Sequence, residues 1–455
     1  MVQDTLSPTT AAPAAPAAAR LAPEAWIHRP AQPLAGARSG PLAGLRFAVK
    51  DNIDVGGWPT TAACPAFAYT APAHASVVQT LLEAGAALHG KTNLDQFACG
   101  LNGTRSPYGA VPNALNPLYV SGGSSSGSAY VVATGQMDFA LGTDTAGSGR
   151  VPAGLNNIVG LKPSRGLISA RGVVPAAQAV DCVSIFTTTV ATAVRVLAVA
   201  MGHDPADPYS RTLPMATEPW GARSGGRFRF GVPSHPEFFG DAAARAAFGD
   251  ALVQLQDLGG QPVPLDFAPL SACADMLYGS ALVAQRYEAV RAFFDAHEDE
   301  VMEPVRGIIA SGRGYSAADL VAAQTQLAAL AQQAQALWQG IDLLVVPTAP
   351  THHTIARMQA DPVVLNRQLG AYTNFVNLLD YAALSVPASL RADGLPFGIS
   401  LIGRCGSDWQ LAELGQRFHH ATGLPQGATG QPLPAPQAMA DLIPVSLFPS
   451  SRSPA

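Results

Sequence analysis

Residues 121–152 read SGGSSSGSAYVVATGQMDFALGTDTAGSGRVP, two clusters of small residues around an apolar stretch. Upstream, Lys50 is the lone lysine of the apolar frame FAVKDNIDV. A serine hydroxyl is a poor nucleophile at its own pKa and needs an activating base. A lysine can serve only when neutral, and at its reference pKa about one in 2,500 is neutral at pH 7. Burial among Phe47, Ala48 and Val49 would lower that pKa. Around Ser148, the small residues Ala146, Gly147 and Gly149 let backbone N–H groups approach a ligand oxygen. Asp144 and Arg150 flank Ser148 and are expected to pair across the turn and fix its shape, because Arg–carboxylate pairing is bidentate and directional.

Other chemistries find less support. The ten histidines include no HxxxH and no evident partner for a GxSxG serine, so a Ser/His/Asp scheme lacks its base. His352 and His353 follow a Pro-rich loop and are expected at the surface or the rim of the site. Lys91 (in GKTN) and Lys162 (in GLKP) are expected in structural or solvated roles. No metal-ligand spacing of Cys or His, no P-loop and no GxGxxG is present, so neither a metal nor an organic cofactor is expected. Cys64, Cys99, Cys182, Cys273 and Cys405 are odd in number and scattered, which suits reduced thiols in a cytoplasm better than disulfides.

These groups need a scaffold, and the composition allows a large one. The 455 residues are 48% hydrophobic and 13% charged, enough to bury a sizeable core. A net charge of −5 without a basic run argues against nucleic acid or an anionic membrane surface as partner. No apolar run approaches the ~18 residues of a membrane span. RFAVKDNIDV (46–55) reads as a buried strand carrying Lys50 near its end. SVVQTLLEAGA (76–86) is a helix by period, with Val77, Val78, Leu81 and Leu82 on one face, and ALHGKTN (87–93) returns as a strand. This rhythm implies a parallel or mixed sheet with helices around it. Further helices are expected over 241–260 and over 316–339, the latter opened by a Ser316/Asp319 capping box. Strands are expected over 342–350 and 397–403. One domain spanning 25–425 follows, between an Ala/Pro-rich disordered extension (1–24, without the marks of a secretory signal) and a Pro-rich disordered tail (426–455).

GGSSSGS, GTDTAGSGRVP and NNIVGLKPSRG occur in that order. With them, from about residue 40 to about residue 420, the chain resembles the amidase signature family. The resemblance implies an α/β fold with a mixed central sheet surrounded by helices, and a Ser–Ser–Lys triad. Ser148 would be the nucleophile. Ser124, the first serine after Gly122 and Gly123 and 24 residues before Ser148, would be the bridge, and Lys50 the base. In the family the bridging serine follows a cis peptide bond, and its neighbours, here Ser125 and Ser126, give support. The family's oxyanion hole maps onto the amides of Thr145, Ala146, Gly147 and Ser148, with Ala146 standing where many relatives carry glycine. Within the family, AVKDNIDV, TTAACPAFAY and GKTNLDQFA look like the allophanate hydrolases, which implies cleavage of a small carboxylated urea with ammonia release. Such a substrate needs a cation. Relatives place a tyrosine and an arginine eight residues apart, here Tyr278 and Arg286, and two turns of one helix would put both on one side. The Pro–Trp pair that relatives often carry in that segment is absent. Full-length allophanate hydrolases usually carry a separate C-terminal domain, and nothing after residue 425 is expected to fold into one. The alternatives are an amidase of aryl or aliphatic amides, or an amidase-like subunit of a larger complex. Family members are commonly dimers, which implies a homodimer.

Overall fold

The computed structural model describes residues 21–443. Its centre is a mixed sheet of eleven strands. From one edge the order is Trp26–His28, Ala87–Thr92, Arg46–Lys50, Phe139–Asp144, Cys182–Thr187 and Val159–Lys162. It continues through Ala382–Leu390, Pro396–Gly403, Leu343–Pro347, Phe228–Pro233 and Gly260–Leu265. Arg46–Lys50 runs parallel to both its neighbours, with Phe47 opposite Phe139 and Val49 opposite Leu141. Lys50 and Thr143 therefore leave the carboxyl ends of adjacent parallel strands, where open α/β sheets place their ligands.

The strands at the centre, parallel and antiparallel alike, are buried along their whole length, because helices cover both faces of the sheet. On one face lie the helices Ser76–Glu83, Val190–Ala200, Ala242–Asp257 and Asp408–Thr422, whose apolar stripes share one core cluster with the sheet. The first of these buries Val77, Val78, Leu81 and Leu82, the stripe its period requires. On the other face the helix Ser126–Ala133 packs under Ala48 and Ala140, and Ala268–Gly279 and Asn374–Leu378 cover the strand Leu343–Pro347. The 21-residue helix Ala317–Leu337 opens with the Ser316/Asp319 capping box. No described helix is long and apolar enough to cross a membrane.

Two boundary expectations change. Most of the N-terminal extension and the last twelve residues lie outside the described residues. Leu21 to Glu24, however, lead into a short helical turn, Pro23–Ala25, that buries Ala22 and Ala25. Residues 426–443 were expected to be disordered, yet they pack on the domain. Asn157 Nδ2 donates to the carbonyls of Pro425 and Gly427 (3.0 and 2.8 Å), and Ala428 N donates to Ala133 O. Leu442 and Ile443 end in the main core. Proline breaks apolar periodicity but leaves carbonyls free to accept, so the composition hides this packing.

Candidate active site

Lys50 closes its strand with a fully buried side chain. Its Nζ donates to Ser124 Oγ at 2.7 Å and to Thr143 Oγ1 at 2.8 Å. Burial pulls the ammonium down to about 7, against the opposing pull of the Asp95, Asp181 and Asp144 carboxylates, while the Arg286 charge lowers it further. A buried lysine with two hydroxyls and, among the described residues, no ion-pair partner is set to lose its proton near neutrality.

The Gly123–Ser124 peptide is cis. Ser124 O accepts from Asp95 N, so the segment before the helix Ser126–Ala133 is held to the loop that carries Asp95. That carboxylate gathers the amides of Asn102, Gly103 and Arg105. Ser125 Oγ donates to Thr143 O at 3.2 Å, and Ser126 Oγ to Asn93 O at 3.4 Å, so both hold backbone.

The turn after Asp144 is built on one ion pair. Arg150 Nε and Nη2 donate to Asp144 Oδ2 and Oδ1 at 2.9 and 3.0 Å, with both side chains fully buried. Burial alone would push the Asp144 carboxyl up; Arg150 holds it below the usual carboxylate range. Arg150 also donates to Thr373 O and Asn377 Oδ1. The remaining lone pairs of Asp144 take Gly147 N and Gly149 N, each at 2.9 Å. The Gly147 amide, one of the expected oxyanion donors, is thus engaged by Asp144 in this structure. Among the described residues no hydrogen bond occupies the amides of Thr145, Ala146 or Ser148. The positive φ of the turn falls on Gly147 (+136°) and not on Ala146, so alanine fits where it stands.

Ser148 Oγ donates to Gly100 O at 3.4 Å. Among the described residues no hydrogen bond joins it to Ser124. Lys50 and Ser124 are thus in contact, and Ser148 lies on the turn that follows the neighbouring strand Phe139–Asp144.

Tyr278 and Arg286 meet, though not as two turns of one helix. Tyr278 lies near the end of Ala268–Gly279, and the chain turns at Ser280 through Ala281–Val283 before Ala284–His297 carries Arg286. The Ser280 hydroxyl caps that break by accepting from Leu282 N. Arg286 Nη2 donates to Tyr278 Oη at 3.0 Å, with its guanidinium 4.8 Å from the ring centroid. Arg286 is 4% exposed, and among the described residues it is in no ion pair and its Nε and Nη1 have no partner. Its charge is among those that lower Lys50.

Other expectations resolve differently. His352 and His353 are not at the rim; both are buried, His352 Nε2 lies 2.6 Å from the Pro396 carbonyl, and burial lowers each ring to about 4. Lys91 and Lys162 take the structural of their two expected roles: both are buried, Lys91 pairs with Asp51 at 3.0 Å, and Lys162 donates to Pro163 O. Among the described residues no group of His, Cys, Asp or Glu is arranged to hold a metal ion. The sequence reading missed Thr143, Asp95, Asp181, Thr373 and Asn377. Thr143 was within reach, since it lies in the same motif as Ser148. The others come from distant segments and carry no local signal.

The family model described as Amidase matches residues 9–412. Urea amidolyase of Saccharomyces cerevisiae is 46% identical over 381 residues, which are 83% of this chain and 21% of that protein. This chain thus spans about a fifth of the length of that relative. A glutamyl-tRNA(Gln) amidotransferase subunit of Haloarcula marismortui is 33% identical over 84% of this chain and 96% of its own length. Among solved structures, Kluyveromyces lactis allophanate hydrolase superposes with a TM-score of 0.82 at 44% identity, covering 84% of this chain and 63% of that one. The Lys50–Ser124 contact, the Ser148 turn and these matches agree: the chain belongs to the amidase family.

Proposed function

We propose that this chain hydrolyses the terminal amide of allophanate, a urea bearing a carboxylate, and releases ammonia. One observation carries the choice of substrate: the buried guanidinium of Arg286 keeps two unpartnered nitrogens and no carboxylate beside a Lys–Ser relay. A buried charge without a partner is costly, and a substrate carboxylate would relieve it. Arg286 offers a planar fork and Tyr278 a hydroxyl for that group. The relatives named urea amidolyase and allophanate hydrolase support the same reading.

Neutral Lys50 accepts a proton from Ser148 through Ser124, once the Ser148 hydroxyl turns from Gly100 O toward Ser124. Ser148 attacks the amide carbon, and the oxyanion takes the free amides of Thr145, Ala146 and Ser148. Each good donor is worth roughly 3–4 kcal/mol in the transition state. The relay then protonates the departing nitrogen, ammonia leaves, and water attacks the acyl-enzyme under the same base. N-carboxycarbamate is the product. The catalytic unit in this reading is the folded domain, with 426–443 packed on it, working among reduced thiols in a cytoplasm.

Ammonia release from the pure protein given allophanate, biuret, malonamate and simple neutral amides tests this. Turnover led by allophanate and malonamate supports it; a preference for neutral amides would return the chain to the general amidases. A second reading, an amidase component of a larger assembly, is favoured by the 96% coverage of the Haloarcula amidotransferase protein. Co-purification with a second polypeptide that activity requires would select it.

A further inference from the structure

The segment 173–181 touches each part of the site in turn. Val174 N donates to Asn52 O at 2.8 Å, and Asn52 Nδ2 returns a bond to Val174 O, two residues after Lys50. Asp181 Oδ2 accepts from Ala176 N and Ala177 N at 2.8 and 3.1 Å, which folds the segment into a closed loop. Asp181 Oδ1 accepts from Thr145 Oγ1 at 2.5 Å, on the turn that holds Ser148. Asn377 Nδ2 ties the same two places together, donating to Asp144 O at 2.7 Å and to Val180 O at 3.0 Å. On its other side, Ala179 N donates to Gln285 Oε1 at 3.3 Å, and Gln285 immediately precedes Arg286. One short loop therefore bonds to the nucleophile's turn through Thr145 and to the helix of the unpartnered cation through Gln285.

A substrate that spans both ends feels this as a length. The scissile carbon must sit at Ser148 while the carboxylate reaches Arg286. In allophanate and in malonamate a single atom separates the two carbons, so little flexibility can absorb an error. Misplacement by about 1 Å can cost ~100-fold in rate.

We propose that the loop 176–181 is a spacer between Arg286 and the Ser148 turn, and that Thr145 and Gln285, as positioning residues at its two ends, set the length of carboxylated amide that the site accepts. This rests on the reading that Arg286 takes the substrate carboxylate. The Thr145 hydroxyl acts through Asp181 and is separate from its backbone amide. Gln285 touches no reacting group.

The test compares kcat/KM for malonamate (one intervening atom), succinamate (two) and acetamide (no carboxylate) in the wild type, Gln285→Ala, Thr145→Val and Thr145→Ser. The wild type is expected to prefer malonamate. Gln285→Ala and Thr145→Val should each lower the malonamate-to-succinamate ratio by about tenfold, and Thr145→Ser, which keeps the hydroxyl, should restore it. Acetamide turnover should be unchanged in Gln285→Ala. A uniform loss on all three substrates, with the ratio constant in both variants, overturns the spacer while the carboxylate reading stands. A wild type that turns over acetamide as well as malonamate overturns the carboxylate reading, and the spacer with it. Should one variant fail to fold, the other decides, since the two act at opposite ends of the loop.

Discussion

Arg150 and Arg286 are both buried arginines at the same site, and they are used in opposite ways. Arg150 is saturated: it grips Asp144 with two nitrogens and spends the rest on Thr373 O and Asn377. Arg286 has a tyrosine hydroxyl and a ring, and two nitrogens without a partner among the described residues. The lysines repeat the contrast, with Lys91 paired to Asp51 and Lys50 left to hydroxyls. A charge whose bonds are complete at folding holds structure. A charge left incomplete at the cost of burial is held for something that arrives later or for a change of protonation.

The contrast can be broken most strongly at the relay itself. Ser148→Ala and Lys50→Ala should each lower kcat by roughly 10⁴- to 10⁶-fold, and the double variant should fall no further, because such groups act as one unit. Melting temperatures should not drop. Retention of a tenth of the wild-type rate in Ser148→Ala would remove the nucleophile assignment. Arg150→Met comes next and should act on the fold. It strands a buried Asp144 carboxylate, so about 3–5 kcal/mol of stability should go, read by denaturant titration; an intact midpoint would contradict the structural role.

Arg286→Leu should do the reverse. Allophanate kcat/KM should fall by about 2–4 kcal/mol in activation free energy, with neutral-amide turnover far less affected and the melting temperature steady or higher. A loss of stability there would make the two arginines alike. The lysines sharpen the comparison through pH. Lys50 must be neutral to act and burial lowers it, so kcat/KM should rise as pH increases through about 7 and then level off. A flat profile from pH 6 to 9 would assign the base elsewhere. The smallest effect is Ala146→Gly. With no positive φ at that position, it should cost only ~0.5–1 kcal/mol of stability and leave kcat unchanged.

Much of the candidate site was legible because its residues sit in short motifs on alternating elements. Lys50 ends an apolar strand, Ser124 precedes a helix, and Ser148 follows a strand that pairs with the first. The Asp144–Arg150 pair needed only a turn of six residues to be foreseen. What failed was whatever depends on how local bonds are shared or on partners far away in the chain. That Gly147 N is consumed follows from how the Asp144 lone pairs are shared, which spacing does not reveal. The break at Ser280 was hidden because its flanks, LYG and ALVAQRY, both read as helix. His352 and His353 look polar in sequence and are buried by the fold around them. Asp181 and Asn377 reach the turn across 36 and 233 residues, and nothing in their own neighbourhoods announces it.

Gly147 carries a consequence for how this turn can evolve. Its φ of +136° is a conformation that side chains rarely take, and a Cβ added there would meet the Thr373 hydroxyl. These are two separate barriers at one codon. Shortening Thr373 lifts the collision and leaves the backbone barrier. Relaxing the backbone would have to undo the Asp144 cradle first, and that cradle is what shapes the turn. No single replacement, and no simple pair, opens the position to change. Variation in what the site accepts must enter at positions without these barriers, such as Thr145 on the same turn or Tyr278 and Arg286 on their helices.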